Sequence, residues 1–89
     1  MNSYLIRVDM RAENNDYARL RDAMQTFSGC WNESDDMWVV RTSLNAAEIR
    51  DFVKQFTDPS DGVFVAGLSG EAAWRGFSDE GSQLLKNLV

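Results

Sequence analysis

Tyr4-Leu5-Ile6-Arg7-Val8-Asp9 is the stretch from which the rest of the chain is read. Apolar and polar residues alternate in it with the period of two that a half-buried strand requires. Tyr4, Ile6, Val8 and, just beyond, Met10 share one face, while Leu5, Arg7 and Asp9 share the other. One face is apolar and the other mixed. The run ends in a carboxylate at the edge of a polar loop. Strand ends that open into loops are where folds of helix and sheet present reactive groups, so Asp9 is the first candidate for chemistry.

Outward from this strand, polar residues 11–16 lead into Tyr17, Leu20, Met24 and Phe27, whose spacings of three and four predict a helix with one buried stripe. Asn14 or Asn15 caps its start and Gly29 its end. Residues 30–42 return to strand patterning. Asp35-Asp36 is the turn of a hairpin between a short strand near Trp31 and the run 37–42. The second helix has the clearest local signature, with Asn45 as cap, Glu48 in the capping-box position and Leu44 stapled against Ile49. Its stripe is Ile49, Phe52, Val53 and Phe56, and Pro59 ends it near Thr57. After Asp61-Gly62, the near-continuous apolar run 63–68 predicts a strand at the centre of the sheet. Trp74-Arg75-Gly76-Phe77 predicts a short edge strand, and Ser78 caps a terminal helical turn carrying Leu84, Leu85 and Leu88.

This order is an α+β, ferredoxin-like split βαβ (βαββαβ) sandwich with a short fifth strand and a C-terminal helical turn, one domain spanning residues 1–89. Both main helices are expected on one sheet face. The other face, with Leu5, Arg7, Asp9, Met37, Val39 and Arg41, is then left open. Leu5, Arg7, Met37, Val39, Arg41, Trp74 and Phe77 are the candidate interface residues of a homodimer.

Composition narrows the function. A chain of 89 residues buries only about 60–65% of its unfolded surface, so a partner subunit would help. Nine Lys and Arg against fourteen Asp and Glu leave a net charge of -5, a field that repels phosphate backbones and restricts any nucleic-acid role to a local patch. The single Cys30 cannot form an intrachain disulfide, and no leader pattern or membrane-length apolar stretch occurs, so a cytoplasmic location is expected. Histidine is absent, which removes Ser-His and Cys-His nucleophile pairs and His-ligated zinc. Gly67-Leu68-Ser69-Gly70 is too short for a phosphate loop. What remains is carboxylate chemistry or none.

Each candidate also has a plain structural reading. Asp9 is a solvated strand-end carboxylate, or pairs with Arg7, Arg11 or Arg41. Glu33, Asp35 and Asp36 form an acidic cluster that a turn would favour anyway. Arg7, Arg11, Arg19, Arg21 and Arg41 could bind phosphate, but Arg19 and Arg21 lie on opposite sides of a helix. Trp31, Trp38 and Trp74 are core and interface anchors rather than base-stacking platforms, with Trp38 beside Val40 on the helix-covered face. Cys30 has no basic neighbour to activate it and reads as packing.

The pattern resembles the small bacterial proteins labelled SinR-like, related to the CRISPR-associated protein two family. It is carried by Tyr4-Leu5-Ile6 with Asp9, Asp16-Tyr17 with Leu20 and Ala23, Trp31, Met37-Trp38-Val39-Val40 with Thr42, and Leu44 with Glu48-Ile49-Arg50-Asp51. The strand 63–68 and Trp74-Arg75-Gly76-Phe77-Ser78 continue it. The resemblance implies a ferredoxin-like protomer that dimerises through its sheet. It also implies that Asp9 matches the first-strand Asp whose two copies are proposed to hold a metal ion for phosphodiester cleavage. The chain departs from that pattern after Asp9, where Glu13 and Asp16 replace basic character.

The resulting expectation is a non-enzymatic, homodimeric binding module without a cofactor, acting on a protein partner through its open sheet face, exposed strand edges or C-terminal segment. The alternative is a metal-dependent endonuclease with Mg²⁺ or Mn²⁺ on paired Asp9, acting on RNA or DNA. A third reading, an acidic mimic of nucleic acid, requires the acids to cluster on one outer surface.

Overall fold

The computed structural model describes residues 1–12 and 16–89. Within them run β1 (Asn2–Asp9), α1 (Ala18–Met24), β2 (Gly29–Ser34), β3 (Met37–Thr42), α2 (Ala46–Lys54), β4 (Gly62–Gly67) and α3 (Asp79–Leu88). The four strands form one antiparallel sheet in the order β2-β3-β1-β4. The chain is an α+β protein with a four-stranded sheet and three helices among the described residues.

The alternation of β1 has the expected outcome. Tyr4, Ile6 and Val8 are buried with Trp38 and Val40 of β3, Leu20 and Met24 of α1, and Ile49 and Val53 of α2. Both α1 and α2 therefore cover one face. Register follows from this: Ile6 pairs with Trp38 on one side and Val65 on the other, and a slip of one residue would turn Trp38 out of the core. At α2 the capping box is complete, with the Asn45 side chain accepting the Glu48 N–H at 2.8 Å and the Glu48 carboxylate accepting the Asn45 N–H at 3.0 Å. In its apolar stripe Ile49 and Val53 are fully buried, whereas Phe52 and Phe56 are half-buried and meet edge to face at 5.3 Å.

Several expectations are corrected. The apolar run 63–68 forms not the central strand but the edge strand β4, with β1 in the middle. Its two faces are apolar for different reasons: Val63 and Val65 pack against the helical core, while Phe64 projects from the other face and is 62% exposed. Residues 74–77 form no fifth strand. The terminal turn is a ten-residue helix, α3, started by Ser78, whose hydroxyl accepts the Gly81 N–H at 2.9 Å.

The face expected to be open is half covered by α3. Val39, Trp31, Leu85 and Leu88 are buried together, with Leu5, Met37, Leu68, Trp74 and Phe77 packed around them. Val39 is thus buried by its own chain, while Arg7 and Arg41 stay exposed.

Gly29 does not cap α1, which ends with Gln25 in right-handed geometry. Gly29 opens β2 instead, where a Cβ would lie 2.6 Å from Leu88 Cδ2, so its missing side chain lets α3 approach the sheet. The proposed caps Asn14 and Asn15, and Glu13, lie outside the described residues. Among those described, Tyr17 precedes α1 in left-handed geometry (φ 56°), and the Asp16 carboxylate accepts the Ala18 N–H at 3.1 Å.

Candidate functional site at the end of the first strand

The C-terminal end of β1 carries a connected cluster of side-chain hydrogen bonds. Asp9 sits opposite Gly62 of β4. Its Oδ2 accepts two N–H groups from Arg11, Nη2 at 2.8 Å and Nε at 3.1 Å. A third guanidinium nitrogen, Nη1, donates to the Ser60 carbonyl at 3.0 Å. Both side chains are more than half exposed, so the pair contributes little stability, yet it orients Asp9 and neutralises it. Of the partners considered for Asp9, Arg11 is the one that meets it.

Behind this pair lies Asp61, which the sequence reading used only as a turn residue. Its Oδ1 accepts the Arg11 N–H at 2.7 Å and the Tyr17 hydroxyl at 2.8 Å, and its Oδ2 accepts the Asp58 N–H at 2.9 Å. The Tyr17 oxygen in turn accepts the Ala12 N–H at 3.2 Å. One carboxylate thus ties the segment after β1 to the α2–β4 connection. Partial burial pushes its pKa upward, but the N–H groups of Arg11 and Asp58 and the Tyr17 hydroxyl outweigh this and hold Asp61 below the usual aspartate range. Burial, then the neighbouring Asp61, pushes the Tyr17 phenol up, which keeps it a donor. A short polar residue followed by Gly was the available signal for Asp61. Nothing in the local pattern showed that Tyr17, 44 positions away, would donate to it.

The sign of this shift makes a prediction. A depressed carboxylate pKa stabilises the fold at pH values above the unfolded value of about 4, and that stabilisation is lost as pH falls through the folded value. Asp61→Ala is therefore expected to lower stability by about 1–2 kcal/mol at pH 7, from hydrogen bonds to a charged group. The deficit should narrow at pH 3. Urea midpoints of both proteins at the two pH values check this, and an equal deficit at both would show that the charge of Asp61 is not involved.

The other acids and bases are distributed. The Glu33 carboxylate accepts the Ser78 N–H at 3.1 Å and lies so close to α3 that a Cβ at Gly81 would collide with it, so it serves that helix start. Asp36 pairs with Arg7 at 3.5 Å and Asp51 with Arg50 at 3.1 Å. Arg19 lies over the Phe56 ring at 5.7 Å, and Arg21 donates to the Asp16 carbonyl at 3.0 Å. Of the arginines considered for a phosphate-binding strip, Arg7 and Arg11 line one cleft, while Arg19 and Arg21 are engaged on α1. Burial raises the Cys30 thiol, which suits packing rather than reactivity. Trp38 is buried on the helix-covered face as expected, and Trp31 on the opposite one.

Among the described residues no three of His, Cys, Asp and Glu converge as metal ligands. Asp9 has Arg11 on one of its oxygens and no converging pair of acid ligands among the described residues, an arrangement that does not by itself fit a divalent cation.

Beside Asp9 the uncovered part of the sheet face forms a cleft of about 620 Å³ lined by Leu5, Arg7, Asp9, Arg11, Met37 and Phe64, among others. Arg7 stands between its cross-strand neighbours Met37 and Phe64. The cleft's lining mixes apolar Leu5, Met37 and Phe64 with Arg7, Asp9 and Arg11, so it carries both signs of charge. No helix of the described chain is long and apolar enough to cross a membrane.

Comparison with protein-family models, with curated proteins and with solved structures finds no match to this chain.

Proposed function

We propose that the chain is a ferredoxin-like, non-enzymatic binding module of the SinR-like, CRISPR-protein-two-like group that works as a homodimer paired through the uncovered sheet face. The observation that carries this reading is Phe64, a large apolar side chain 62% exposed at the middle of an edge strand. Partly buried Leu5 and Met37 extend the apolar patch. Arg7, Arg11, Asp9 and Asp36 put both signs of charge on the same face, so each copy in an isologous pairing carries acids and bases for the other to match. The order βαββαβ before α3 is compatible with a ferredoxin-like fold.

Sedimentation velocity through the high micromolar range tests it. The wild type is expected to be a dimer. Phe64→Glu should weaken association about 30-fold or more, which corresponds to losing a hot-spot contact of about 2 kcal/mol. A wild type that stays monomeric contradicts the proposal.

A second reading has one observation in its favour, that Asp9 lies in the same cleft, so that dimerisation there brings two copies of it to one interface. It is the metal-dependent nuclease. Cleavage of labelled RNA or duplex DNA that requires Mg²⁺ or Mn²⁺ and is lost in Asp9→Ala would establish it in place of the binding module.

A further inference from the structure

The two outer strands of the sheet present unequal edges. β2 is interrupted by an irregularity between Trp31 and Ser34, carries Asn32 and Glu33, and packs against α3, whose start Glu33 serves. Such features guard an edge against pairing. β4, Gly62-Val63-Phe64-Val65-Ala66-Gly67, has none of them: it pairs with β1 without a break in register and contains no charge and no proline.

The hydrogen bonds of β1 show which groups β4 turns outward. The Val8 N–H donates to the Asp36 carbonyl at 2.9 Å, on the β3 side, and the Leu68 N–H donates to the Ser3 carbonyl at 3.0 Å, on the β4 side. Ladder bonds alternate along an antiparallel pair, so even-numbered residues of β1 bond to β3 and odd-numbered ones to β4. Residues 62, 64 and 66 of β4 therefore face β1. The N–H and C=O groups of Val63, Val65 and Gly67 point away from the sheet, and no described residue bonds them. Val63 and Val65 are half-buried and Gly67 is exposed, so the chain leaves this edge uncovered.

We infer that this edge pairs with the same edge of a second copy, antiparallel and centred on Val65, which joins two four-stranded sheets into one. A two-fold rotation matches donors to acceptors, because each outward residue offers one of each. With Val65 on Val65, Val63 lies opposite the partner's Gly67, and all three outward residues are used, for about six backbone hydrogen bonds. Phe64 then lies opposite the partner's Ala66, a large side chain beside a small one on each side of the axis. A pairing centred one residue earlier would match Gly67 to Asp61 instead, and the Asp61 N–H is already given to the Asp58 carbonyl at 2.9 Å. Centring on Val65 also sets Asp61 level with the partner's Ser69, so no like charges meet. The contact is made by backbone groups in the plane of the sheet and does not depend on the pairing of faces proposed above.

Amide hydrogen exchange of the ¹⁵N-labelled chain tests it. Raising the protein from about 20 µM to about 1 mM should slow exchange at the Val63, Val65 and Gly67 N–H about fivefold, as a dissociation constant of about 20 µM gives. The Val8 N–H, bonded to Asp36 within one copy, should exchange alike at both concentrations. Gly67→Pro removes an outward donor that β1 does not use, and a Cβ there meets only the Tyr4 ring, at 3.7 Å. In that variant Val63 and Val65 should lose their concentration dependence, while a protected Val8 reports that the fold is kept. Exchange that is fast at both concentrations, or slow at both, would overturn the inference and leave the edge to water, to its own chain or to a strand of another protein. If sedimentation then still shows a dimer, the face pairing stands without the edge. Unchanged concentration dependence in Gly67→Pro would overturn the inference as well, because the ladder would not run along β4.

Discussion

Trp38→Ala is expected to lower the unfolding free energy by about 3–5 kcal/mol, the range for emptying a large aromatic site in a close-packed core. Trp38 is 1% exposed and joins the two elements that define the sheet centre. Its backbone is in register with Ile6 of β1, and its side chain lies in one cluster with Leu20, Met24, Ile49 and Val53 of the two helices. Close packing of the largely buried cluster limits how far its members can collapse into the space. A domain of this size has about 5–15 kcal/mol in total, so the variant should unfold at markedly lower urea concentration with an unchanged slope. Trp74→Ala, at a half-buried position, should cost distinctly less. Similar midpoints for the two variants, followed by circular dichroism, would contradict this account of the core.

Leu85→Ala is expected to cost about 2–4 kcal/mol, close to the loss in an interior helix of the main core. The effect distinguishes an integral α3 from a frayed appendage. Leu85 is 5% exposed in a cluster with Trp31, Val39 and Leu88, and the helix is held at both ends. At its start Glu33 accepts the Ser78 N–H, and at its end the Ser3 hydroxyl donates to the Leu88 carbonyl. If these contacts make α3 part of one cooperative unit, the variant unfolds in a single transition shifted to lower urea. A loss below about 0.5 kcal/mol, the size of an ordinary surface change, would mean that α3 detaches from the sheet without disturbing it.

The sheet face divides along the same boundary. Where α3 covers the sheet, the face encloses a second cleft, lined by Trp31 and Arg75 among others. Beyond it, the face presents Phe64 and the Asp9–Arg11 pair. Leu5 and Met37 line both clefts. The two clefts thus adjoin on one sheet face.

Elements governed by short-range chemistry were legible in the sequence. The alternation at residues 4–9, the turn at Asp35-Asp36 and the capping box of Asn45 and Glu48 depend on neighbours within a few positions, and each is found where the pattern puts it. Asp9 at the end of β1 and the burial of Trp38 follow directly from the strand period. The sheet order and the occupants of its second face were decided by contacts across long sequence separations. An apolar run such as 63–68 reads alike whether both its sides are paired or one is exposed, and only the position of β1 between β3 and β4 makes it an edge. Gly29 resembles a helix cap in sequence because its real reason, the approach of Leu88 from 59 residues away, has no local trace. The same holds for Asp61, whose three donors come from Arg11, Tyr17 and Asp58. By itself the sequence determined which residues turn inward along each strand and helix, since that is a matter of period. Only the tertiary structure decided that α3 would bury Val39 and spare Phe64, because burial on the second face depends on which distant segment packs there.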